Sequence, residues 1–150
     1  ALGAQLEVAR LMPPAQGLAE ALRLADLARA AGLRSGWLSG RLVALSALTL
    51  VDPAAAAESA RGLLHDLQTL HPTDAYWPEF HWAASLALQA NGCDDEAQAA
   101  LCSAHDWIER TAMAHVPAAF REGFFDRNLV NRQVRQARGR AQRAASRGWT

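Results

Sequence analysis

Two identical dipeptides place a histidine beside an aspartate, a combination that can hold a metal ion or transfer a proton. They occur at His65-Asp66 and His105-Asp106, forty positions apart. Adjacent side chains of a helix point about 100° apart, so neither pair can chelate one ion well. Metal ligands on a helix favour a spacing of three or four residues. We therefore interpret both dipeptides as equivalent positions of a repeated structure, without a metal or acid–base role.

A second set of potential metal ligands combines the two cysteines with two histidines. Cys102 and His105 are three residues apart and would share one face of a helix, whereas Cys93 and His115 have no such neighbour. A structural zinc ion needs four ligands, and no second closely spaced pair completes the set. Cysteine also serves as a small buried apolar residue. The sequence therefore predicts no metal site.

Motifs typical of enzymes are missing from the sequence. It contains no Gly-x-Ser-x-Gly and no His-Glu-x-x-His, and because it has no lysine it cannot form a phosphate-binding loop that ends in Gly-Lys. Its acidic residues are spread along predicted helix faces. The sequence therefore predicts a protein that is not an enzyme and that uses no cofactor.

The segment from about residue 35 to residue 114 repeats itself at a spacing of forty positions. The matching positions are Trp37 and Trp77, Ala57 and Ala97, Ala60 and Ala100, and the two His-Asp dipeptides. A period of this length is typical of stacked helix pairs. Such stacks usually bind partners and seldom catalyse reactions.

The elements that position these residues are predicted to be helices throughout. Hydrophobic residues make up 51% of the chain, and much of this share is alanine, the residue with the highest helix propensity. Proline, glycine and aspartate mark the helix ends. The predicted helices cover about residues 1–12, 15–31, 35–50, 53–71, 75–90, 94–115, 118–126 and 129–146, with Ser35 as the N-cap of the third helix.

The turn from Asn91 to Ala97 resembles the turn and second-helix start of a tetratricopeptide repeat. Those repeats have a glycine in the turn, then acidic residues, and a small alanine five residues after the glycine, a pattern that Gly92 and Ala97 fit. The alanine lets two helix axes approach to about 8–10 Å. The chain departs from the family in its spacing, in its first-helix tryptophan, which is one position off at Trp82, and in Ser85, which replaces a glycine. The resemblance covers about residues 15–115 and implies an all-α, right-handed stack of antiparallel helix pairs.

In stacks of this kind the first helix of each pair lines a concave groove that binds peptides. The residues Glu79, Trp82 and Gln89 are three and seven residues apart on the fifth predicted helix, one and two turns. We predict that these three residues contact the partner. Most of the other tryptophans are expected to be part of the core.

The segment from Val116 to Arg132 resembles the end of large bacterial signalling proteins. Those proteins join an AAA-type ATPase core, often with a cyclase, kinase or transcription-activator module, to a long repeat tail. Their tails often finish with a proline, a short Arg-x-x-Phe-type helix and an Asn-Arg before an arginine-rich helix. The resemblance implies repeats over residues 1–115, capping helices over residues 116–150, and a role in protein–protein interaction or scaffolding within a regulatory protein.

Charge is divided unevenly along the chain, although the formal net charge is zero. Residues 1–126 hold all 15 acidic residues and eight arginines, a net charge of −7, whereas residues 127–150 hold seven arginines and no acid. The last helix is predicted to cap the stack with a solvated outer face. A second interpretation is that its arginines, among them Arg132 and Arg135, bind phosphate or an acidic partner surface.

These features predict a protein or peptide partner, or another module of the same chain, and neither nucleic acid nor a membrane. Two alternatives remain open: self-association through an end of the stack, and accessory nucleic-acid binding through the last helix. We expect two reduced thiols and a cytoplasmic location, because no signal peptide and no run of about 18 apolar residues occurs. Since the chain starts with Ala1 in a helical pattern, we expect it to be a segment of a longer protein.

Overall fold

The computed structural model describes residues 1–148, and this part of the chain is helical from end to end. Its α-helices are α1 (Leu2–Leu11), α2 (Pro14–Ala30), α3 (Arg34–Val51), α4 (Pro53–Leu70), α5 (Trp77–Ala90), α6 (Asp94–His115), α7 (Arg121–Arg127) and α8 (Leu129–Arg147), with a 3-10 turn at Ala118–Phe120. No strand occurs among residues 1–148, so the prediction of an all-α chain is confirmed. Residues 149 and 150, which belong to the predicted capping segment, lie outside the described residues.

Most helix ends lie at the residues that the sequence marks. The carboxylate of Asp52 accepts a hydrogen bond from the backbone N–H of Ala55 at 3.2 Å and caps α4, as predicted. Gly32 and Gly92 follow α2 and α5 with φ angles of +73° and +74°. Residues with a Cβ atom are strained at such positive φ angles, so glycine is the residue expected at both positions.

One predicted cap is wrong. The helix α3 begins at Arg34, before Ser35, and no side chain of the described residues caps its first turn. The hydroxyl of Ser35 donates instead to the carboxylate of Asp74, in the loop between α4 and α5. The Ser35 side chain therefore forms a long-range hydrogen bond instead of the helix cap that the local sequence predicts.

Contacts also join helices that are not neighbours in the sequence. Each helix packs against the next in the chain, and in addition α1 contacts α3, α3 contacts α5, and α8 contacts both α5 and α6. Within residues 1–148, no comparable contact joins α2 to α4 or α4 to α6. We call the series α1, α3, α5 and α8, in which each helix contacts the next, the inner row.

The crossing of α2 and α3 depends on small residues. A Cβ atom added to Gly40 would lie 2.8 Å from the Cβ of Ala25 and 2.9 Å from its Cα. One turn earlier, a Cβ atom on Gly36 would lie 3.2 Å from the Cβ of Ala28. The backbones of the two helices are thus as close as alanine and glycine permit.

A glycine turn of the same geometry occurs twice, at positions 32 and 92. Gly32 donates to the carbonyl of Arg29 and the next residue donates to Ala28, and Gly92 and its successor donate in the same way to Gln89 and Leu88. By contrast, α3 and α4 are joined by Asp52 alone. The helical hairpins α2–α3 and α5–α6 are thus alike in their turns, although the spacing of these turns differs from that of the repeated side-chain pattern.

A buried asparagine anchors α8 to the rest of the chain. Asn131 is fully buried. Its amide N–H donates to the carbonyl of Phe124 at 2.9 Å, and its carbonyl accepts a hydrogen bond from the hydroxyl of Tyr76. Asn131, the asparagine of the Asn-Arg pair in the C-terminal motif, thus links α8 to α7 and to Tyr76 at the start of α5.

The buried apolar residues of the described chain form three separate clusters rather than one core. The first lies among α1, α2 and α3, and the second among α3, α4 and α5 with Ala97 of α6. The third joins α6 to α8 and consists of Leu101, Ala104, Ile108 and Val134, with half-buried aromatic residues around it. Each cluster is therefore shared between neighbouring helices.

Candidate binding groove

One face of α5 remains accessible within the inner row. Glu79 and Trp82 are half-buried, Gln89 is exposed and Leu86 is 41% exposed. Their spacing of three or four residues places them on one side of the helix. Glu79, Trp82 and Gln89 therefore share a face. That they contact a partner remains a prediction. Leu86 was missed, although the same helical spacing points to it.

An ion pair joins this face to α1. The guanidinium of Arg10 donates to a carboxylate oxygen of Glu79 at 3.1 Å, across 69 residues of sequence. Arg10 also pairs with Glu7, one turn earlier on α1, at 3.3 Å. Because α3 packs against both α1 and α5, the Arg10–Glu79 pair bridges the first and third helices of the inner row.

A small apolar pocket lies beside Arg10, between α1, α2 and α3. Its volume is about 220 Å³, and the residues that line it are Ala9, Arg10, Met12, Pro14, Gly17, Val43, Ser46, Ala47 and Leu50. Leu50 is 74% exposed at its edge. We define the candidate groove as this pocket together with the α5 face, since Arg10 lines the pocket and pairs with Glu79.

Trp82 belongs partly to the core. Its ring packs against the cluster formed by Leu101, Ala104, Ile108 and Val134. Trp82 is only half-buried, so part of the residue remains accessible. A change at Trp82 would therefore affect both packing and any contact with a partner, which makes it a poor residue for testing binding alone.

The two predicted arginines of α8 differ in their surroundings. Arg135 donates to Glu109 of α6 at 3.2 Å, and its guanidinium lies 3.9 Å from the centre of the Phe125 ring. Arg132 is exposed and pairs with no acid in the described part of the chain. Both arginines are exposed, but Arg135 links α8 to α6 through its ion pair.

The two His-Asp dipeptides have different contacts. Asp66 forms an ion pair with Arg41, whereas His105 lies 3.5 Å from Glu109 and 3.8 Å from Asp106. Residues 1–148 contain no group of three or more side chains that could hold a metal ion. In each dipeptide, at least one side chain thus contacts a charged residue of its own helix or of a neighbouring helix.

A second concavity, which we call the aromatic cleft, lies between α4, α5 and α6. Its volume is about 430 Å³, and its lining residues are Gln68, His71, Trp77, His81, Ser103, Asp106, Trp107 and Arg110. The centre of the Trp77 ring lies 4.9 Å from that of the His71 imidazole and 6.4 Å from that of the His81 imidazole. The indole N–H of Trp77 donates to the carbonyl of Pro72 at 3.2 Å. The indole N–H of Trp77 is thus already used in a hydrogen bond within the protein.

His81 is the buried titratable group of this cleft. It is only 8% exposed, and its Nδ1 atom has no hydrogen-bond partner in the described structure. Burial lowers the pKa of His81 below its usual value of 6.5, because the protonated ring would lose hydration without gaining a partner. The imidazole is therefore neutral at neutral pH.

The lowered pKa of His81 predicts a loss of stability in weak acid. Below pH 6.5 the unfolded chain binds a proton that the folded chain does not, so the free energy of unfolding falls as pH decreases toward the folded-state pKa. The slope that this residue contributes is at most about 1.4 kcal/mol per pH unit. We expect His81→Phe to remove this part of the slope in urea unfolding followed by circular dichroism between pH 7.5 and 5.

The matched control for this experiment is Ser85→Ala, on the same helix. The Ser85 hydroxyl is buried and donates to the carbonyl of Ala97 at 2.9 Å. Its removal should lower stability by about 1 kcal/mol at every pH, because serine does not titrate in this range. An unchanged slope in His81→Phe would show that His81 does not resist protonation in the fold.

None of the helices in residues 1–148 combines the length and the apolar composition that crossing a membrane requires. Both cysteines are free thiols and half-buried.

The described residues form an all-α structure with a candidate binding groove. No protein-family model, no curated protein and no solved structure matches the chain.

Proposed function

We propose that this chain is a protein-interaction segment that binds a peptide or a partner surface in the groove along its inner row of helices. The observation that carries this proposal is the Arg10–Glu79 pair, which gathers the apolar pocket of α1–α3 and the open face of α5 into one surface. Exposed Leu50 and Leu86 supply apolar contacts on that surface. A groove with apolar anchors and a few charged groups suits a peptide segment.

We further propose that the helices form a tetratricopeptide-like, right-handed stack. The sequential contacts of α1, α3 and α5 support it, because the first helices of such pairs pack side by side. The α5–α6 pair supports it in detail. Ser85 stands where the repeat has a glycine, and its hydroxyl donates to the carbonyl of Ala97, the small residue expected at the crossing. A small side chain at each position allows the two helices to approach closely.

The proposed setting is the regulatory part of a larger bacterial signalling or transcription protein. Its support is the C-terminal motif, whose Phe124, Phe125 and Asn131 have packing or hydrogen-bonding roles in holding α7 and α8. In this setting the segment would hold a partner or another module of the same chain in place. The groove, rather than any catalytic group, is the functional surface.

The groove is tested by selecting peptides and then changing its apolar anchors. A random peptide library displayed on phage is selected on the wild-type protein, and the dissociation constants of enriched peptides are measured by fluorescence anisotropy. We expect Leu50→Asp and Leu86→Asp each to weaken binding about tenfold or more, because burying a leucine contributes about 1.5–3 kcal/mol and a buried carboxylate is unfavourable.

The matched control is Leu27→Asp, on the outer helix α2. Leu27 is 55% exposed, comparable with Leu86, and does not line the pocket. It should leave peptide binding unchanged. If no peptide is enriched, or if enriched peptides respond to Leu27→Asp and not to the groove variants, this groove is not the binding surface.

A further inference from the structure

The first copy of the sequence repeat contains an occupied guanidinium site. In it, the guanidinium carbon of Arg41 lies 4.8 Å from the centre of the Trp37 ring, and Arg41 also forms an ion pair with Asp66 of α4. A second guanidinium, that of Arg29, lies 5.3 Å from the same ring. An aromatic face and a carboxylate together thus hold an arginine side chain in this repeat.

The second copy has the same receptor groups without the arginine. Forty positions after Trp37 and Asp66 stand Trp77 and Asp106, whereas the position equivalent to Arg41 is occupied by His81. Imidazole is shorter than the arginine side chain. Trp77, His81 and Asp106 accordingly line one open space, the aromatic cleft of about 430 Å³.

The remaining groups of the cleft are compatible with a cation. The side chain of Asp106 is 70% exposed and pairs with no arginine in the described residues. His81 is neutral because burial lowers its pKa, and so it does not repel a positive charge. Among the lining residues that the structure describes, Arg110 is the one arginine, and its Nε–H donates to the backbone carbonyl of Asp106 at 3.3 Å.

We propose that the aromatic cleft binds a guanidinium group supplied by an arginine side chain of a partner protein. The guanidinium would stack on the face of Trp77 and pair with Asp106, as Arg41 does with Trp37 and Asp66 in the first repeat. Guanidinium fits this site better than ammonium because it is planar, stacks on aromatic rings and is more weakly hydrated. At about 100° per residue, Trp77 and His81 each lie about 160° around α5 from Glu79, so the cleft forms a binding site separate from the groove.

The test is an NMR titration of the ¹⁵N-labelled protein with methylguanidinium, using methylammonium as the comparison. The indole N–H signal of Trp77 reports on the cleft, and that of Trp37 is an internal control, because its ring already contacts two arginines. We expect saturable shifts of the Trp77 signal with an affinity on the order of millimolar, as one cation–π contact and one exposed ion pair provide. Equal shifts with methylammonium, or no saturable shift, would overturn the proposal.

Two variants test whether methylguanidinium binds in the cleft. Asp106→Asn should weaken methylguanidinium about three- to fivefold, which is the contribution of an exposed ion pair. Asp95→Asn, an exposed carboxylate in the first turn of α6, is the matched control and should have no effect. His81→Arg restores the residue of the first repeat and should abolish binding by filling the cleft from within.

The source of the guanidinium is distinguished by two further probes. An arginine blocked at both ends, N-acetyl-arginine-amide, should bind as well as free arginine if the cleft takes a side chain of a polypeptide. Free arginine that binds tenfold more tightly would identify a site for the amino acid, with Arg110 on its carboxylate, and would overturn the side-chain source. Should His81→Arg fail to fold, the comparison of Asp106→Asn with Asp95→Asn still decides whether the cleft is the site.

Discussion

Replacing Gly40 by valine is expected to lower the free energy of unfolding by about 3 kcal/mol or more, the upper part of the range for overpacked cores. The first atom of any side chain there would lie 2.8–3.0 Å from Cβ, Cα and N of Ala25. Two of these atoms belong to the backbone, so the two helices must separate along their whole contact. Alanine at the same position should cost less, because its helix propensity offsets about 1 kcal/mol. Urea denaturation followed by circular dichroism measures both changes.

A glycine in an open position provides the control. Gly139 lies in the middle of α8, and a Cβ atom added there would meet only the end of the flexible Arg143 side chain, at 3.3 Å. Gly139→Ala should therefore raise stability by about 0.5–1 kcal/mol. If Gly40→Ala were stabilising to the same extent, α2 and α3 could not be as close as the structure has them.

Asn131→Ala is expected to lower the free energy of unfolding by about 2–4 kcal/mol. The change leaves the carbonyl of Phe124 and the hydroxyl of Tyr76 without their partner. Both residues are half-buried, so each group costs up to about 1–3 kcal/mol, the range for a polar group that water cannot reach. It also removes a fully buried side chain from the junction of α5, α7 and α8. The loss should be confined to the C-terminal part of the chain, which hydrogen exchange of the α8 amides measures.

Tyr76→Phe separates the hydrogen bond from the packing. It keeps the ring, which stacks edge-on against Trp107 at 5.3 Å, and removes only the hydroxyl. The double variant Tyr76→Phe with Asn131→Ala should be less destabilised than the sum of the single changes, because one hydrogen bond is counted in both. Gln136→Ala, at an exposed position of α8, is the control and should change stability by less than about 0.5 kcal/mol.

Helix type and most helix ends could be predicted because they are determined locally. Asp52 before Pro53, and glycine at Gly32 and Gly92, act through the few bonds next to them. Ser35 shows where local reasoning stops, since its hydroxyl bonds to Asp74 in a distant loop. The recurrence of one turn at Gly32 and Gly92 was likewise hidden, because the two turns share their glycine and their hydrogen bonds but few side chains.

Part of the groove could be predicted from helical spacing, and part could not. Glu79, Trp82 and Gln89 share a face because residues three and four apart do so on any helix. The ion pair between Glu79 and Arg10 could not be predicted in this way. Arg10 precedes Glu79 by 69 residues, and only the packing of α1, α3 and α5 brings the two side chains together. The cleft at His81 needed both kinds of information: the repeat identifies the replaced arginine, and the fold provides the space.

The division of the apolar core into three clusters has a consequence for how the molecule opens. No single core spans residues 1–148, so unfolding at one end of the chain need not spread to the other end. Local unfolding can therefore proceed in contiguous units. The terminal unit, α7–α8, rests on the smallest share of buried apolar residues together with Asn131, and we expect it to fray first. Fraying there would uncover the flank of α5 that α8 covers and reduce the inner row from four helices to three. The protein would thereby present two surfaces in equilibrium, one with α8 in place and one with α5 uncovered, whose populations a partner could shift.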